Sequence, residues 1–256
     1  MTILITNDDG LHAPGIHALE AGVAQMGDAV VVAPAQERSG ASHSLTMHSV
    51  LRLRQDAPHR YAVDGTPVDC VYVGVHQVLQ RKPTLVLSGI NRGANLGDDV
   101  FYSGTVGAAR EAALMGIPSL AISLHPDGVR GPDSPHFDSA VFYARQVAQQ
   151  IVDKGIPKDT FLNLNVPDRP LSTIKGLKLC PLGRRHYKPL IDAREDPRGG
   201  PYYWIGGEPV EDAMGQGTDG WWISRGWATL SPVSLDQTAH GALESLQGND
   251  FVPADS

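Results

Sequence analysis

Residues 1–10 read MTILITNDDG, and the fold assignment starts from the abrupt change within them. Residues 2–6 are apolar or β-branched, which favours a short buried β-strand, and the run stops at Asn7-Asp8-Asp9-Gly10. Apolar residues at helical spacing follow between Pro14 and Met26. The order strand, polar loop, helix is typical of the first unit of an α/β protein, in which the loop lies beyond the carboxyl end of the strand.

The same alternation continues along the chain. Further strands are predicted over residues 29–33, 84–88, 119–123 and 161–165, and further helices over residues 65–80, 104–116 and 137–154. Thr66 is the predicted N-cap of the first of these helices, with Asp69 completing a capping box, and residues 50–63 predict an antiparallel excursion. The strands are almost continuously apolar, as in a parallel sheet buried on both faces. The predicted fold class is α/β, with a doubly wound, mainly parallel sheet.

The composition changes after about Pro181, where Gly, Pro, Arg and aromatic residues become frequent and no regular helix is predicted before residues 237–246. We therefore divide the chain into a catalytic core, residues 1–182, and a β-hairpin-rich C-terminal extension for oligomerisation, residues 183–256. Six aromatic residues crowd the stretch from residue 202 to residue 227 with few aliphatic ones, which favours an interface between chains over a local core. These are Tyr202, Tyr203, Trp204, Trp221, Trp222 and Trp227.

Composition also excludes several classes of function. The formal charge of the 256 residues is −7, and Lys and Arg are scattered, which argues against a nucleic-acid polymer as a partner. Cys70 and Cys180 each lie in an apolar stretch and are predicted to be reduced, buried thiols. Neither a signal-peptide layout nor an apolar run of about 20 residues is present, so we expect a cytoplasmic protein without a membrane partner.

The carboxylate pair Asp8 and Asp9 is the first candidate site. Adjacent carboxylates on a partly buried rim repel each other unless a cation lies beside them. Ser39 and Asn91, in the loops after two other predicted strands, are further oxygen ligands, and such a set favours Mg²⁺ or Mn²⁺, with Ca²⁺ also compatible. A simple turn is the alternative interpretation of Asp-Asp-Gly.

Ser103-Gly104-Thr105, at the start of a predicted helix, is the second candidate site. Backbone N–H groups at a helix N-terminus, together with the two hydroxyls, can bind an anion such as phosphate. A plain Ser or Thr N-cap is the alternative. No P-loop motif occurs, and the GxGxxG pattern at residues 215–220 is not followed by a predicted helix, so a dinucleotide-binding loop is not expected there.

Taken together, these motifs closely resemble those of the SurE family, stationary-phase survival proteins that are metal-dependent nucleoside monophosphate phosphatases. The matching segments are ILITNDDG, RSGASHSLT, GTPVDCV, LVLSGINRGANLGDDVFYSGTVGAAREA, LNLNVP and RGWATLSPV. The resemblance implies a Rossmann-like core whose C-terminal extension is exchanged between subunits of a homodimer or homotetramer. It implies one divalent metal per subunit, held by Asp8, Asp9, Ser39 and Asn91, and phosphate contacts from Asn95 and from Ser103, Gly104 and Thr105.

The function predicted from these residues is metal-dependent hydrolysis of nucleoside monophosphates, with Asp8 and Asp9 as catalytic residues. One of the pair orients or deprotonates the attacking water, or an aspartate itself attacks the phosphate. A polyphosphate hydrolase and a non-catalytic nucleotide sensor are the alternatives. Activity on 3′- as well as 5′-nucleotides stays open, and we expect base preference to depend on residues 184–187 or on a partner subunit.

Overall fold

The computed structural model describes residues 1–126, 135–207, 210 and 215–247. Its strands are β1 (Thr2–Thr6), β2 (Asp28–Pro34), β3 (Leu53–Ala57), β4 (Arg60–Val63), β5 (Leu85–Arg92), β6 (Ser119–His125), β7 (Thr160–Pro167), β8 (Leu177–Leu179), β9 (Leu190–Glu195), β10 (Pro201–Gly206) and β11 (Ala228–Ser234). Its α-helices are α1 (Pro14–Val23), α2 (Pro67–Val73), α3 (Gly104–Leu114), α4 (Phe137–Lys154), α5 (Asp219–Ile223) and α6 (His240–Gln247). Within these ranges every helix is too short or too polar to cross a membrane.

The main sheet confirms the predicted α/β class. In the described residues it has nine strands in the order β3-β4-β2-β1-β5-β6-β7-β11-β8. The pairs from β4 through β7 are all parallel. The chain adds β2 on one side of β1 and later adds β5 on the other, so the strand order reverses between β1 and β5. Ligands of open α/β sheets bind beyond the carboxyl ends of the strands at this kind of switch point.

Alternate residues of β1 pack into two separate cores, one on each face of the sheet. Ile3 and Ile5 contact the apolar side chains of α1 and α4, whereas Leu4 contacts α2 and α3. Successive side chains of a strand point to opposite faces. Because helices cover both faces, both sets must be apolar, which explains the uninterrupted apolar run at the start of the chain.

The capping box predicted at the start of α2 is present. Thr66 Oγ1 accepts a hydrogen bond from the Asp69 N–H at 3.1 Å, and Asp69 Oδ2 accepts one from the Thr66 N–H at 2.8 Å. The same buried carboxylate also accepts from the N–H of Thr46 at 2.8 Å. Asp69 therefore connects the loop that follows β2 to the first turn of α2.

The C-terminal region differs in part from the prediction. The predicted hairpin is present as the antiparallel pair β9 and β10, but β11 returns to the main sheet between β7 and β8, and α5 was not expected. The extension from residue 183 is thus not separate from the core in space. Sequence reasoning missed β11 because its buried positions include Thr229 and Ser231, so that apolar alternation is absent.

The six aromatic residues between residues 202 and 227 fall into two groups. Trp222 contacts both Trp221 and Trp227, with ring centroids 4.5 and 5.8 Å apart, so this group packs within the chain. Tyr203 and Trp204 of the hairpin are both 63% exposed. Only the hairpin group retains the exposure expected of an unoccupied interface.

Candidate functional site

The loop that follows β1 is a tight turn closed by its own side chain. Asn7 Nδ2 donates to the Gly10 carbonyl at 2.9 Å, and Asn7 Oδ1 accepts from the Gly10 N–H at 3.2 Å. Gly10 has φ +100°, a conformation that favours glycine. Asn7 and Gly10 therefore form a simple turn, which was the alternative interpretation of this motif. The two residues between them, Asp8 and Asp9, line the large pocket at the switch point.

Asp8 is held against the first turn of α3. Its Oδ2 accepts from the Thr105 N–H at 3.1 Å, and its Oδ1 accepts from the Thr105 hydroxyl. Burial raises the pKa of Asp8, and the two hydrogen bonds from Thr105 oppose that rise. A Cβ on Gly104 would lie 3.0 Å from the Asp8 Cβ, so the lack of a side chain at residue 104 allows this close approach.

The hydrogen bonds from Thr105 to Asp8 occupy donors of the anion site that was predicted at the start of α3. Ser103 is the N-cap of α3, and its Oγ accepts from the Val106 N–H at 3.1 Å. Thr105 directs both of its donors to Asp8, so the anion that this helix end binds is the carboxylate of Asp8 itself. Ser103 and Asn95 line the pocket, whereas Gly104 and Thr105 lie behind Asp8.

Asp9 shares the pocket with three other carboxylates, those of Asp8, Glu37 and Asp99. Its Oδ2 accepts from the Arg92 N–H at 3.2 Å. Burial, followed by repulsion from Asp8, raises the pKa of Asp9 to about 6, and the nearby Glu37 adds to this rise. Glu37 was not among the predicted site residues, although it precedes Ser39 by only two positions. Negative charge is thus concentrated at the carboxyl ends of β1 and β2.

Ser39 and Asn91 reach the same pocket from the loop after β2 and from the end of β5. Ser39 Oγ donates to Glu37 Oε1 at 2.7 Å, which leaves its lone pairs available. Asn91 follows a bulge between Ser88 and Asn91 in the pairing of β5 with β6, and such bulges redirect side chains. Asn91 Nδ2 donates to the Gly93 carbonyl at 2.9 Å, so its Oδ1 is the atom left to act as a ligand.

These residues fit a hard divalent cation by their donor chemistry. Burial raises the pKa of both Asp8 and Asp9, and repulsion from neighbouring carboxylates adds to it. A bound cation would offset the cost of holding these negative charges in the pocket. Among the described residues no group of three or more His, Cys, Asp or Glu side chains is placed to hold a metal, so the set depends on Ser and Asn oxygens beside the two aspartates. Oxygen-only ligands of this kind suit Mg²⁺ or Mn²⁺.

Asn95 is fixed by two buried amides of β7. The side chains of Asn163 and Asn165 both donate to the Asn95 carbonyl, at 2.9 and 3.0 Å, and Asn165 Oδ1 accepts from the Asn95 N–H at 2.9 Å. Asn95 Nδ2 donates to Ser123 Oγ at 2.7 Å. Sequence reasoning placed Asn163 and Asn165 in a strand without a role. Asn alternates with apolar residues in the sequence LNLNVP, so both Asn side chains lie on one face of the strand. This pattern could have indicated that the two amides act together.

The fold and the site define a class: a Rossmann-like α/β protein with an acidic, oxygen-lined ligand site at the switch point of its sheet. The family model described as Survival protein SurE matches residues 3–189. The chain therefore belongs to the SurE family.

Relatives of this chain are similar over nearly their whole length. The chain is 47% identical to the 5′-nucleotidase SurE of Geobacter sulfurreducens, covering 98% of this chain and 94% of that protein. It is 46% identical to the 5′-nucleotidase SurE of Vibrio cholerae serotype O1 strain El Tor Inaba N16961, covering 96% of each. The crystal structure of the SurE protein from Aquifex aeolicus matches with a TM-score of 0.85 at 40% identity, covering 97% of this chain and 99% of that chain.

Proposed function

We propose that this chain is a 5′-nucleotidase that hydrolyses nucleoside monophosphates to nucleoside and phosphate with the help of a divalent cation. One observation carries the proposal. Asp8 and Asp9, from a turn shaped by Asn7 and Gly10, lie with Ser39 and Asn91 in one pocket at the switch point. The names of the relatives support the substrate class.

The cation is assigned to Asp8, Asp9, Ser39 and Asn91. When bound, it would polarise a phosphoryl oxygen and lower the pKa of a water molecule. Thr105 keeps Asp8 in place through two hydrogen bonds, so Asp8 needs little rearrangement to act. Asp9 lies in the same pocket, and its carboxylate is assigned the role of orienting the attacking water or accepting a proton from it.

Phosphate oxygens are assigned to the side chains of Asn95 and Ser103. Both line the pocket beside Asp8, and Asn95 is held rigidly by the amides of β7. In this arrangement Thr105 acts through Asp8, and contact with phosphate would require the bond between its hydroxyl and Asp8 to be given up.

Phosphate release is the direct test. Nucleoside 5′- and 3′-monophosphates, a sugar phosphate and polyphosphate are each incubated with the protein, with Mg²⁺ or Mn²⁺ and with a chelator. The proposal predicts many turnovers with 5′-monophosphates and the divalent cation, and none with the chelator. Release limited to one phosphate per chain would indicate a sensor. Preference for polyphosphate, or full activity with the chelator, would contradict the proposal.

A further inference from the structure

The pocket extends well beyond the carboxylates and has a second wall. Its volume is about 1470 Å³, far more than a phosphate group occupies. Besides Asp8 and Asp9 it is lined by Arg185 and Tyr187 and by part of residues 215–225. We call these two segments, residues 183–187 and 215–225, the C-terminal wall. The GxGxxG pattern at residues 215–220 lies in this wall, so it contributes to the pocket without being a dinucleotide-binding loop.

One buried carboxylate joins the C-terminal wall to the core. Asp219 is 1% exposed. Its Oδ2 accepts from the Gly97 N–H at 2.9 Å, and its Oδ1 accepts from the N–H groups of Gly183 and Gly220, each at 2.8 Å. Gly97 belongs to the segment that leads into α3, whose first turn holds Asp8. Asp219 therefore links both segments of the wall to the segment that leads into α3.

Asp99 makes a second connection between the wall and the segment that leads into α3. It accepts hydrogen bonds from Arg185 Nη1 and, at 2.7 Å, from Tyr187 Oη. Burial and the bond to Asp99 raise the pKa of Tyr187 to about 12, so this phenol stays protonated and continues to donate. Asp98 adds to this connection, because it accepts from Arg184 Nη1 at 3.2 Å and from the Arg185 N–H at 3.1 Å. The segments 97–101 and 183–187 are thus joined by several hydrogen bonds.

The inner surface of the wall carries planar and hydrogen-bonding groups. Arg225 lies over the ring of Trp221, with Cζ 4.0 Å from the ring centroid, and both residues line the pocket. Gln216 and Tyr187 line it as well. Aromatic and guanidinium planes stack on planar rings, while amide and hydroxyl groups bond to heteroatoms and sugar hydroxyls. This chemistry matches a nucleoside and exceeds what phosphate alone requires.

We infer that the C-terminal wall binds the nucleoside part of the substrate and that Asp219 is a positioning residue, which holds both segments of this wall against the segment that leads into α3. The inference rests on the proposed function. It adds that the C-terminal wall is the part of this chain that recognises the nucleoside. Asp219 touches neither phosphate nor cation in this account. Its loss therefore weakens binding of the nucleoside and leaves binding of phosphate nearly unchanged.

Calorimetric binding of two probes tests this inference. The probes are inorganic phosphate and an adenosine 5′-phosphonate in which carbon replaces the bridging oxygen, so that no phosphate is released; both are measured with Mg²⁺ present. In Asp219→Asn, either orientation of the amide sets an NH₂ group against at least one of the three N–H donors. The Kd of the phosphonate should rise by about tenfold or more, while the Kd of phosphate changes by less than about threefold.

Two further variants keep the result interpretable. Asp153→Asn removes an exposed carboxylate of α4 outside the pocket and should bind both probes as the wild type does. If Asp219→Asn does not fold, Arg225→Gln, which alters an exposed residue of the wall, should show the same selective loss. Equal losses for both probes, no loss, or a wild type that binds the phosphonate no more tightly than phosphate would each overturn the inference. A wild type that binds the phosphonate selectively but releases no phosphate from nucleotides contradicts the proposed function alone.

Discussion

At the scale of single residues, the aspartate pair is held in an arrangement that is unfavourable without a cation. Asn7 and Gly10 fix the turn, and Thr105 fixes Asp8, so the two carboxylates cannot move apart freely. The raised pKa values of both groups express this cost. Strain of this kind at a rigid site is typical of functional residues.

Asp9→Asn should stabilise the protein when a chelator removes divalent cations. The folded state raises the pKa of Asp9 from 3.8 to about 6, so it binds a proton more tightly than the unfolded chain does. The contribution of Asp9 to the free energy of unfolding therefore falls as pH rises from 3.8 to about 6 and stays low above that. We expect the variant to be more stable than wild type by about 1–2 kcal/mol above pH 6, allowing for solvent screening, with no difference near pH 3.8.

Urea denaturation at a series of pH values measures this effect. Saturating Mg²⁺ or Mn²⁺ should raise the stability of the wild type and leave that of the variant less affected, because a ligand of the folded state stabilises by mass action. A variant less stable than wild type at neutral pH in chelator would show that Asp9 is not under electrostatic strain.

Thr105→Val should weaken catalysis by releasing Asp8. The substitution keeps the β-branched shape and the backbone N–H but removes the hydroxyl that donates to Asp8 Oδ1. We expect a loss of transition-state stabilisation of about 1–3 kcal/mol and a higher metal concentration at half-maximal rate. Thr105→Ser keeps the donor and serves as the control. If the Val and Ser variants are equally active, the hydroxyl has no part in positioning Asp8.

At the scale of elements, the N-terminus of α3 is the structure on which the site is built. It brings together a donor pair for Asp8, the N-cap Ser103 and the close approach of Gly104. Helix N-termini stabilise negative charge, and here the charge is supplied by the protein itself.

Gly104→Ala should lower the rate of phosphate release without unfolding the helix. The new methyl group would lie 3.0 Å from both Asp8 Cβ and Pro67 Cγ, so the aspartate must shift. Alanine favours a helix more than glycine does, and a small misplacement of a catalytic group is sufficient to reduce the rate by about tenfold or more. Gly241→Ala in α6, where a Cβ would meet nothing within 4 Å, is the matched control. If Gly104→Ala and Gly241→Ala release phosphate at the same rate, the close approach of residue 104 to Asp8 has no effect on catalysis.

Elements with a strong local pattern could be predicted from the sequence. The structure confirms β1 at residues 2–6 and α4 at residues 137–154. It also confirms both hydrogen bonds of the capping box at the start of α2. These features could be predicted because apolar periodicity and capping are local properties of the sequence. The strand β11 and the roles of Asn163, Asn165 and Asp219 depend on partners about 30 to 120 residues away in the chain. Buried polar residues give no apolar pattern, so such pairings are not visible in a single sequence.

At the scale of the whole molecule, the β9–β10 hairpin stands out as a surface without a partner in the described chain. Both strands are exposed along their length, and Ile205 is 91% exposed. Contiguous apolar surface of this kind marks an association site, and an isolated hairpin is at best marginally stable in water. The prediction of a homodimer or homotetramer therefore remains, with the hairpin as the expected contact.

Replacing Tyr203 and Ile205 together by Ser should lower the mass of the particle in light scattering at micromolar concentration. The two side chains make little contact within the chain, so the thermal stability of the core should change little. Deleting residues 183–256 is a poorer test, because it removes β11 from the main sheet. A wild type that is already monomeric, or a variant of unchanged mass, would contradict the assignment of the hairpin as an interface.

The central claim is that Asp8 and Asp9 form the catalytic centre of a nucleotidase, and one comparison tests it most directly. Phosphate release from a nucleoside 5′-monophosphate is measured with saturating Mn²⁺ for wild type, Asp8→Asn, Asp9→Asn and the exposed control Asp153→Asn. We expect sustained turnover by wild type and control, and rates lower by on the order of a hundredfold or more in both site variants while their folds stay intact. Near-wild-type turnover by either Asp8→Asn or Asp9→Asn would contradict the central claim.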